Sequence, residues 1–260
     1  VSPRALGEAD AYLQQLAQSL RADGTRVEIH TLTVASVALA IDQAAQLFRA
    51  DMIAFATHGD GPLGRILHGR TAWRALAHSP VPVLLRGPNG IGAGEYGHRK
   101  IMVPLDGSRF GEAALPLAET LAKEWGAEIW LVLAVETSPH LYHDVSISVP
   151  EVLTEELAEA REYLAQRAAE MAVKTQSHTL IAGQVAPALV QAARDIGITD
   201  VVMATHGRTG LARVIMGSVA DGLVQRLHCP IIVVPASALA QDSDCQSERR
   251  KKAGVAAGTG

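Results

Sequence analysis

The chain has 260 residues, 48% hydrophobic and 19% charged, so it can bury one large core or two ordinary ones and is not a disordered polymer. Its formal net charge of −4 leaves no basic footprint for nucleic acid, and no apolar run is long enough to span a membrane. Two cysteines, Cys229 and Cys245, exclude a disulfide framework or zinc cluster and suit a reducing, cytoplasmic setting, with no signal peptide in view.

Residues 5–22 place Leu6, Ala9, Leu13, Leu16, Ala17 and Leu20 at helical spacing, and Asp23-Gly24 stops that helix. Arg26 to Leu32 alternates Val27 and Ile29 with polar residues, as a strand does. Helical spacing returns over 35–48, followed by a short buried strand at Met52 to Phe55. Then come the loop Ala56-Thr-His-Gly59, a helix from Gly69 to His78 and a strand at Val81 to Leu85. Gly87 to His98 is rich in Gly and reads as a linker.

From Lys100 the order is fuller. A strand at Ile101 to Pro104 runs into Leu105-Asp-Gly-Ser108, and a helix follows through Ala113, Ala114, Leu117, Ala118 and Leu121. Ile129 to Val135 is almost wholly apolar and hence an interior strand, Thr137 to Val149 is a loop, and Pro150 to Ala172 is a long amphipathic helix. Strands at Ser177 to Ile181, Val201 to Ala204 and Ile231 to Val234 alternate with helices at Ala186 to Ile196 and Ser218 to Leu227. The alternation predicts an α/β fold on a parallel sheet. Aromatic residues make up only 4%, so small aliphatics should let the helices pack closely on that sheet. From Ala238 the sequence is polar, carries Glu248-Arg-Arg-Lys-Lys252, and reads as a disordered, solubilising tail.

The two halves repeat one unit. Thr57-His-Gly59 aligns with Thr205-His-Gly207; at the same offset and without a gap, Leu63 meets Leu211, Arg65 meets Arg213, Gly69 meets Gly217, Ala72 meets Ala220, and Pro82 meets Pro230. Tyr12-Leu13 aligns with Tyr163-Leu164 at a slightly different offset. The first copy lacks about 50 residues, corresponding to a first strand, its helix and a second strand. Either the protein continues upstream of Val1 or the first copy is a remnant; uncovered strand faces and edges favour the former. The organisation is therefore an incomplete repeat over 1–87, a linker over 88–99, a complete domain over 100–236 and a tail over 237–260.

The stretch Ala204-Thr-His-Gly-Arg-Thr-Gly-Leu-Ala-Arg-Val-Ile-Met-Gly-Ser218 carries the chemistry. A strand feeding a Gly-rich loop and a helix start is a phosphate cradle, because free backbone N–H groups and the helix dipole both favour an anion there. Ser218 could instead only cap the helix, and Ser-Val-Ala-Asp221 looks like a capping box. His206 has no second ligand at useful spacing and reads as ordering the loop, and Asp106 has the alternative of capping the helix that follows it.

On these residues the chain resembles the universal stress protein family in tandem form. The resemblance rests on Lys100-Ile-Met-Val-Pro-Leu-Asp-Gly-Ser108, Val135, Gly183, the 204–220 stretch and Cys229-Pro-Ile-Ile-Val-Val-Pro235. The family's ATP pattern is Gly, two residues, Gly, nine residues, Gly, then Ser or Thr. Here it reads Ala204, two residues, Gly207, nine residues, Gly217, Ser218, so the first Gly has become Ala. The resemblance implies a Rossmann-like (adenine nucleotide alpha hydrolase-like) α/β sandwich with a parallel five-stranded sheet of order 3-2-1-4-5. It also implies dimers through the last strand, and hence an intrachain pseudo-dimer of Val81–Leu85 against Ile231–Val234 or a homodimer. The cofactor implied is ATP, with or without Mg. Its site would lie beyond the carboxyl ends of the first and fourth strands, where strand order reverses. Asp106 would accept from the adenine or ribose side and Val135 would wall the base. Gly207 would admit phosphate, Gly217 and Ser218 would hold it, and Arg208 would balance its charge. Pro104, Leu105, Met203, Ala204, His206 and Val219 complete the expected set.

The first copy has Arg70 in place of the Ser, Asp60 where Arg208 stands, and no counterpart of Asp106. It is expected not to bind nucleotide. The whole is expected to be a regulatory stress-response protein rather than an enzyme. A tandem acting only through protein contacts is the second reading. An ATP pyrophosphatase or adenylyl transferase is the third: those carry a Ser-Gly-Gly-x-Asp-Ser loop where this chain has Pro104-Leu-Asp-Gly-Ser-Arg-Phe-Gly111.

Overall fold

The computed structural model describes residues 3–32, 36–56, 79–86, 98–137, 149–205 and 217–235. Helices α1 (Pro3–Ala22) and α2 (Val37–Leu47) precede strands β1 (Ile53–Ala56) and β2 (Val83–Arg86). The second half opens with β3 (Lys100–Leu105), the one-turn helix α3 (Arg109–Glu112), α4 (Leu115–Trp125) and β4 (Glu128–Glu136). It continues through α5 (Val149–Glu170), β5 (Thr175–Ala182), α6 (Val185–Ile196), β6 (Asp200–Ala204), α7 (Ser218–Arg226) and β7 (Ile231–Val234). The helix expected over Gly69 to His78, most of the linker, most of the loop after Thr137 and the tail with Cys245 lie outside the described residues.

One sheet runs β1-β2-β7-β6-β3-β4-β5. Counted within the second half, its order is 3-2-1-4-5 and every pairing is parallel, as the resemblance implies. Two strands of the first half extend it. β2 lies antiparallel to β7, with Val83 opposite Val233, Leu84 opposite Ile232 and Leu85 opposite Ile231. The expected five-stranded parallel sheet is thus a seven-stranded one with a single antiparallel junction among the described strands.

The near-continuous apolar strands follow from burial on both faces. Met102, Val201, Met203, Ile231 and Val233 point to a face covered by Leu189, Val190 and Ala193 of α6 and Ala220 and Leu223 of α7. Ile101, Val103, Leu105, Val202, Ile232 and Val234 point to the other, covered by Ala118 and Ala122 of α4 and Ala160 and Leu164 of α5. Alternate residues of one strand therefore serve opposite layers. Alanines at the helix contacts bring the backbones close, as the scarcity of aromatic residues leads one to expect.

Two expectations fail. Arg26 to Leu32 forms no strand. The residues alternate correctly, but a strand exists only in a ladder, and no described strand lies beside this segment. The single helix expected after Ser108 breaks at Ala113–Ala114 into α3 and α4. The first half also leaves apolar side chains uncovered. Leu164 of α5 is fully buried, whereas its counterpart Leu13 on α1 is half-buried; Tyr12, counterpart of the half-buried Tyr163, is 66% exposed, and Leu47 on α2 is 76% exposed.

At the amino ends of the strands, Arg99 holds Asp200 through two hydrogen bonds, Nη2 to Oδ1 at 2.8 Å and Nε to Oδ2 at 3.2 Å. Cys229 sits near this carboxylate and packs against the core. Burial, and then the charge of Asp200, push its thiol up to about 12. The thiolate is the nucleophile, so at pH 8.5 almost none is present. In a Cys245→Ser background, Cys229 should therefore resist alkylation by iodoacetamide at that pH until denaturant is added. Labelling at the rate of a free thiol would contradict this placement.

Candidate functional site

The sheet reverses direction of travel between β3 and β6, which are neighbours at its centre. The chain leaves β3 toward α4 on one face and leaves β6 toward α7 on the other. In open α/β sheets such departures leave a crevice beyond the carboxyl ends of the two strands, where ligands sit. Asp106 follows β3 directly, and Met203 and Ala204 end β6. Val135 stands near the end of β4 opposite Ile181, with its side chain buried in the α4 and α5 face.

The turn after β3 is built by side chains on backbone. Asp106 Oδ1 accepts from the Ser108 backbone N at 3.0 Å and from Ser108 Oγ at 2.6 Å. Ser108 Oγ in turn accepts from Gly111 N at 3.1 Å and is the N-cap of α3. Asp106 is therefore not the helix cap; Ser108 caps, and Asp106 holds the cap. α3 lies against β6 as well as β3, so the turn sits at the mouth of the crevice. Behind it, the Tyr163 hydroxyl donates to Glu112 Oε1 at 2.9 Å. Burial first, and then this carboxylate, hold the Tyr163 hydroxyl above its ordinary pKa, so it stays a neutral donor.

The other wall is the start of α7. Its N-cap is Gly217, not Ser218, and among the described residues no side chain caps it. Ser218 is exposed at the first helical position. The capping box is not formed, because Asp221 faces along the helix and accepts from Gln225 Nε2 at 2.8 Å. The helical ladder begins with Asp221 N donating to Gly217 O at 3.0 Å, and Gly217 N donates to Thr205 O at 3.3 Å. The helix start is thereby tied to the end of β6, with the amides of Ser218, Val219 and Ala220 ahead of the ladder. Gly217 has φ −59°, open to any residue, and among the described residues an added Cβ would meet only Thr205 O, at an ordinary 3.6 Å.

Of the expected residues, Pro104 and Asp106 stand at the end of β3, Ala204 at the end of β6, and Gly217 and Ser218 at the start of α7, with Val219 packed against the core in its first turn. Leu105 and Met203 face the core beneath, on opposite sides of the sheet. His206, Gly207 and Arg208 lie outside the described residues, as do Gly59, Asp60, Gly69 and Arg70 of the first copy. Ser108, Gly111 and Thr205 were not expected in the site. Asp-x-Ser is a local signal for a side-chain turn, whereas the Thr205 carbonyl leaves no mark in sequence.

The profile of the universal stress protein family matches residues 2–85 and again 97–235. A universal stress protein of Methanocaldococcus jannaschii is 35% identical over 144 residues, which is 54% of this chain and 84% of that protein. The universal stress protein YxiE of Bacillus subtilis is 31% identical over 146 residues, 52% of this chain and 97% of its own. Among solved structures, a universal stress protein from Archaeoglobus fulgidus superposes with a TM-score of 0.61 at 20% identity, covering 88% of this chain and 76% of that one.

Proposed function

The chain belongs to the universal stress protein family, and from that premise we propose that it binds ATP in its second half and acts as a regulatory stress-response module. The observation that carries the reading is the tie between Gly217 N and Thr205 O, which sets a helix start at the crevice where the sheet changes direction. A fixed start presents pre-ordered amides to phosphate. Gly217 supports it further. Its φ does not call for glycine, nor does its packing among the described residues, so the bare backbone there suits the approach of a ligand.

On this reading Ser218 and the first amides of α7 hold phosphate, with Gly207 and Arg208 completing the loop. Asp106 accepts from the ribose or the adenine, and Val135 walls the base. ATP would supply the regulatory ligand, and any Mg would travel on its phosphates. Residues 100–236 form the binding unit and 1–87 a non-binding partner that caps the β7 edge, joined by 88–99. The protein works where other soluble stress proteins do, in the cytoplasm, and performs no chemistry of its own.

Calorimetry with purified protein tests this directly. Wild type should bind ATP with a micromolar dissociation constant, and Ser218→Arg should weaken it at least about a hundredfold by filling the phosphate position with a long side chain. Absence of nucleotide binding in wild type would overturn the reading. It would favour a tandem that acts through protein contacts, which the exposed Tyr12, Leu16, Leu39 and Leu47 of the first half support.

A further inference from the structure

We propose that Ser108 and Gly111 are positioning residues that fix the carboxylate of Asp106, and that nucleotide selection depends on this clamp; the inference rests on the ATP reading above. Ser108 grips Asp106 Oδ1 twice, through its backbone N at 3.0 Å and its hydroxyl at 2.6 Å. Charge-assisted bonds of this length hold a short side chain in one rotamer. The hydroxyl is itself held, since it accepts from Gly111 N at 3.1 Å, and so donates its only proton to Asp106. Ser108 O also accepts from Glu112 N at 3.2 Å, which seats the whole turn on α3.

Gly111 makes the grip possible. A Cβ there would lie 2.7 Å from Asp106 Oδ1 and 3.6 Å from Ser108 Oγ, so any other residue would push the carboxylate out of this position. Glycine within a helix turn is otherwise unfavourable, and its presence here has a local cause. The turn and α3 thus meet at one oxygen of Asp106. The class of ligand recognised by a carboxylate held this way carries a hydrogen-bond donor at a fixed height, such as a ribose hydroxyl or an exocyclic amine. Neither Ser108 nor Gly111 needs to touch it. An unfixed carboxylate would lose orientation entropy on binding and would accept wrongly placed donors.

The test is a cycle of Asp106→Ala, Ser108→Ala and the double variant, with Ser108→Thr as rescue, titrated with ATP. Ser108→Ala should weaken ATP about five- to tenfold, Ser108→Thr should return to within about twofold, and Ser108→Ala should have no further effect once Asp106 is Ala. Gly111→Ala should match Ser108→Ala. Nucleotide-free protein supplies a second readout: β-proton couplings of Asp106 in NMR should report one rotamer in wild type and an average in Ser108→Ala. Unchanged ATP affinity in Ser108→Ala, or a loss that persists in the Asp106→Ala background, overturns the positioning role. If wild type binds no ATP, the reading beneath it fails and selection falls with it, while the rotamer measurement still decides whether the clamp exists.

Discussion

Asp200→Ala should lower folding stability by about 3–5 kcal/mol, read as a shift of the denaturant midpoint at unchanged slope. Asp200 is only 1% exposed at the start of the central strand β6. Its two oxygens take Arg99, and Oδ2 also accepts from Thr199 Oγ at 2.7 Å. The guanidinium is further held over the Trp125 ring at 3.8 Å. Removing the carboxylate strands a cation whose side chain is 24% exposed, together with a hydroxyl that bridges to the Lys100 backbone. Replacing both charges by apolar residues of similar size, as in Arg99→Met with Asp200→Leu, should cost much less than the single change, because no charge is left unpaired. If Asp200→Ala lost less than about 1 kcal/mol, the pair would be a surface contact and not a buried one.

The second large effect is expected at Gly222 in α7. A Cβ there would stand 2.6 Å from the Ala186 Cβ of α6, closer than two methyl groups can approach. Gly222→Ala should raise helix propensity by about 1 kcal/mol and yet destabilise the protein by about 2 kcal/mol net. The clash wins because it is borne by two packed helices, not by a flexible side-chain end. It should also weaken ATP, since moving α7 shifts the Gly217–Thr205 tie at its start. Ala186→Gly removes the opposing methyl and should restore both stability and binding in the double variant. Failure of that rescue would show that the two helices do not meet there in solution.

Much of the candidate site was legible in the chain. Strand and helix start are local features, and the spacing from Ala204 to Ser218 reads off a strand end and a helix start that the fold brings together through Gly217 and Thr205. Assigning caps went less well. Ser218 looked like an N-cap because Ser is favoured there, but the first helical bond goes to the Gly217 carbonyl. Asp106 looked like a cap for the same reason, yet Ser108, two residues on, is better placed, and Asp106 serves it instead. Both Asp106 and Ser218 are residue types that cap, and propensity cannot choose between neighbours one or two positions apart.

Periodicity was enough to specify an α/β fold, because burial on two faces writes a continuous apolar run into each parallel strand; the strand order of the second half and the pairing of β2 with β7 came from the resemblance to the universal stress protein family. They could not decide whether an alternating segment has a ladder to join: Arg26 to Leu32 has the pattern of a strand, and no described strand stands beside it. Nor could they reveal contacts that depend on close approach in space, such as Gly111 under Asp106 or Gly222 against Ala186. Strand character is a property of a few consecutive side chains and survives in one dimension. Pairing, capping and the absence of a methyl group are set by atoms that only meet once the chain has folded.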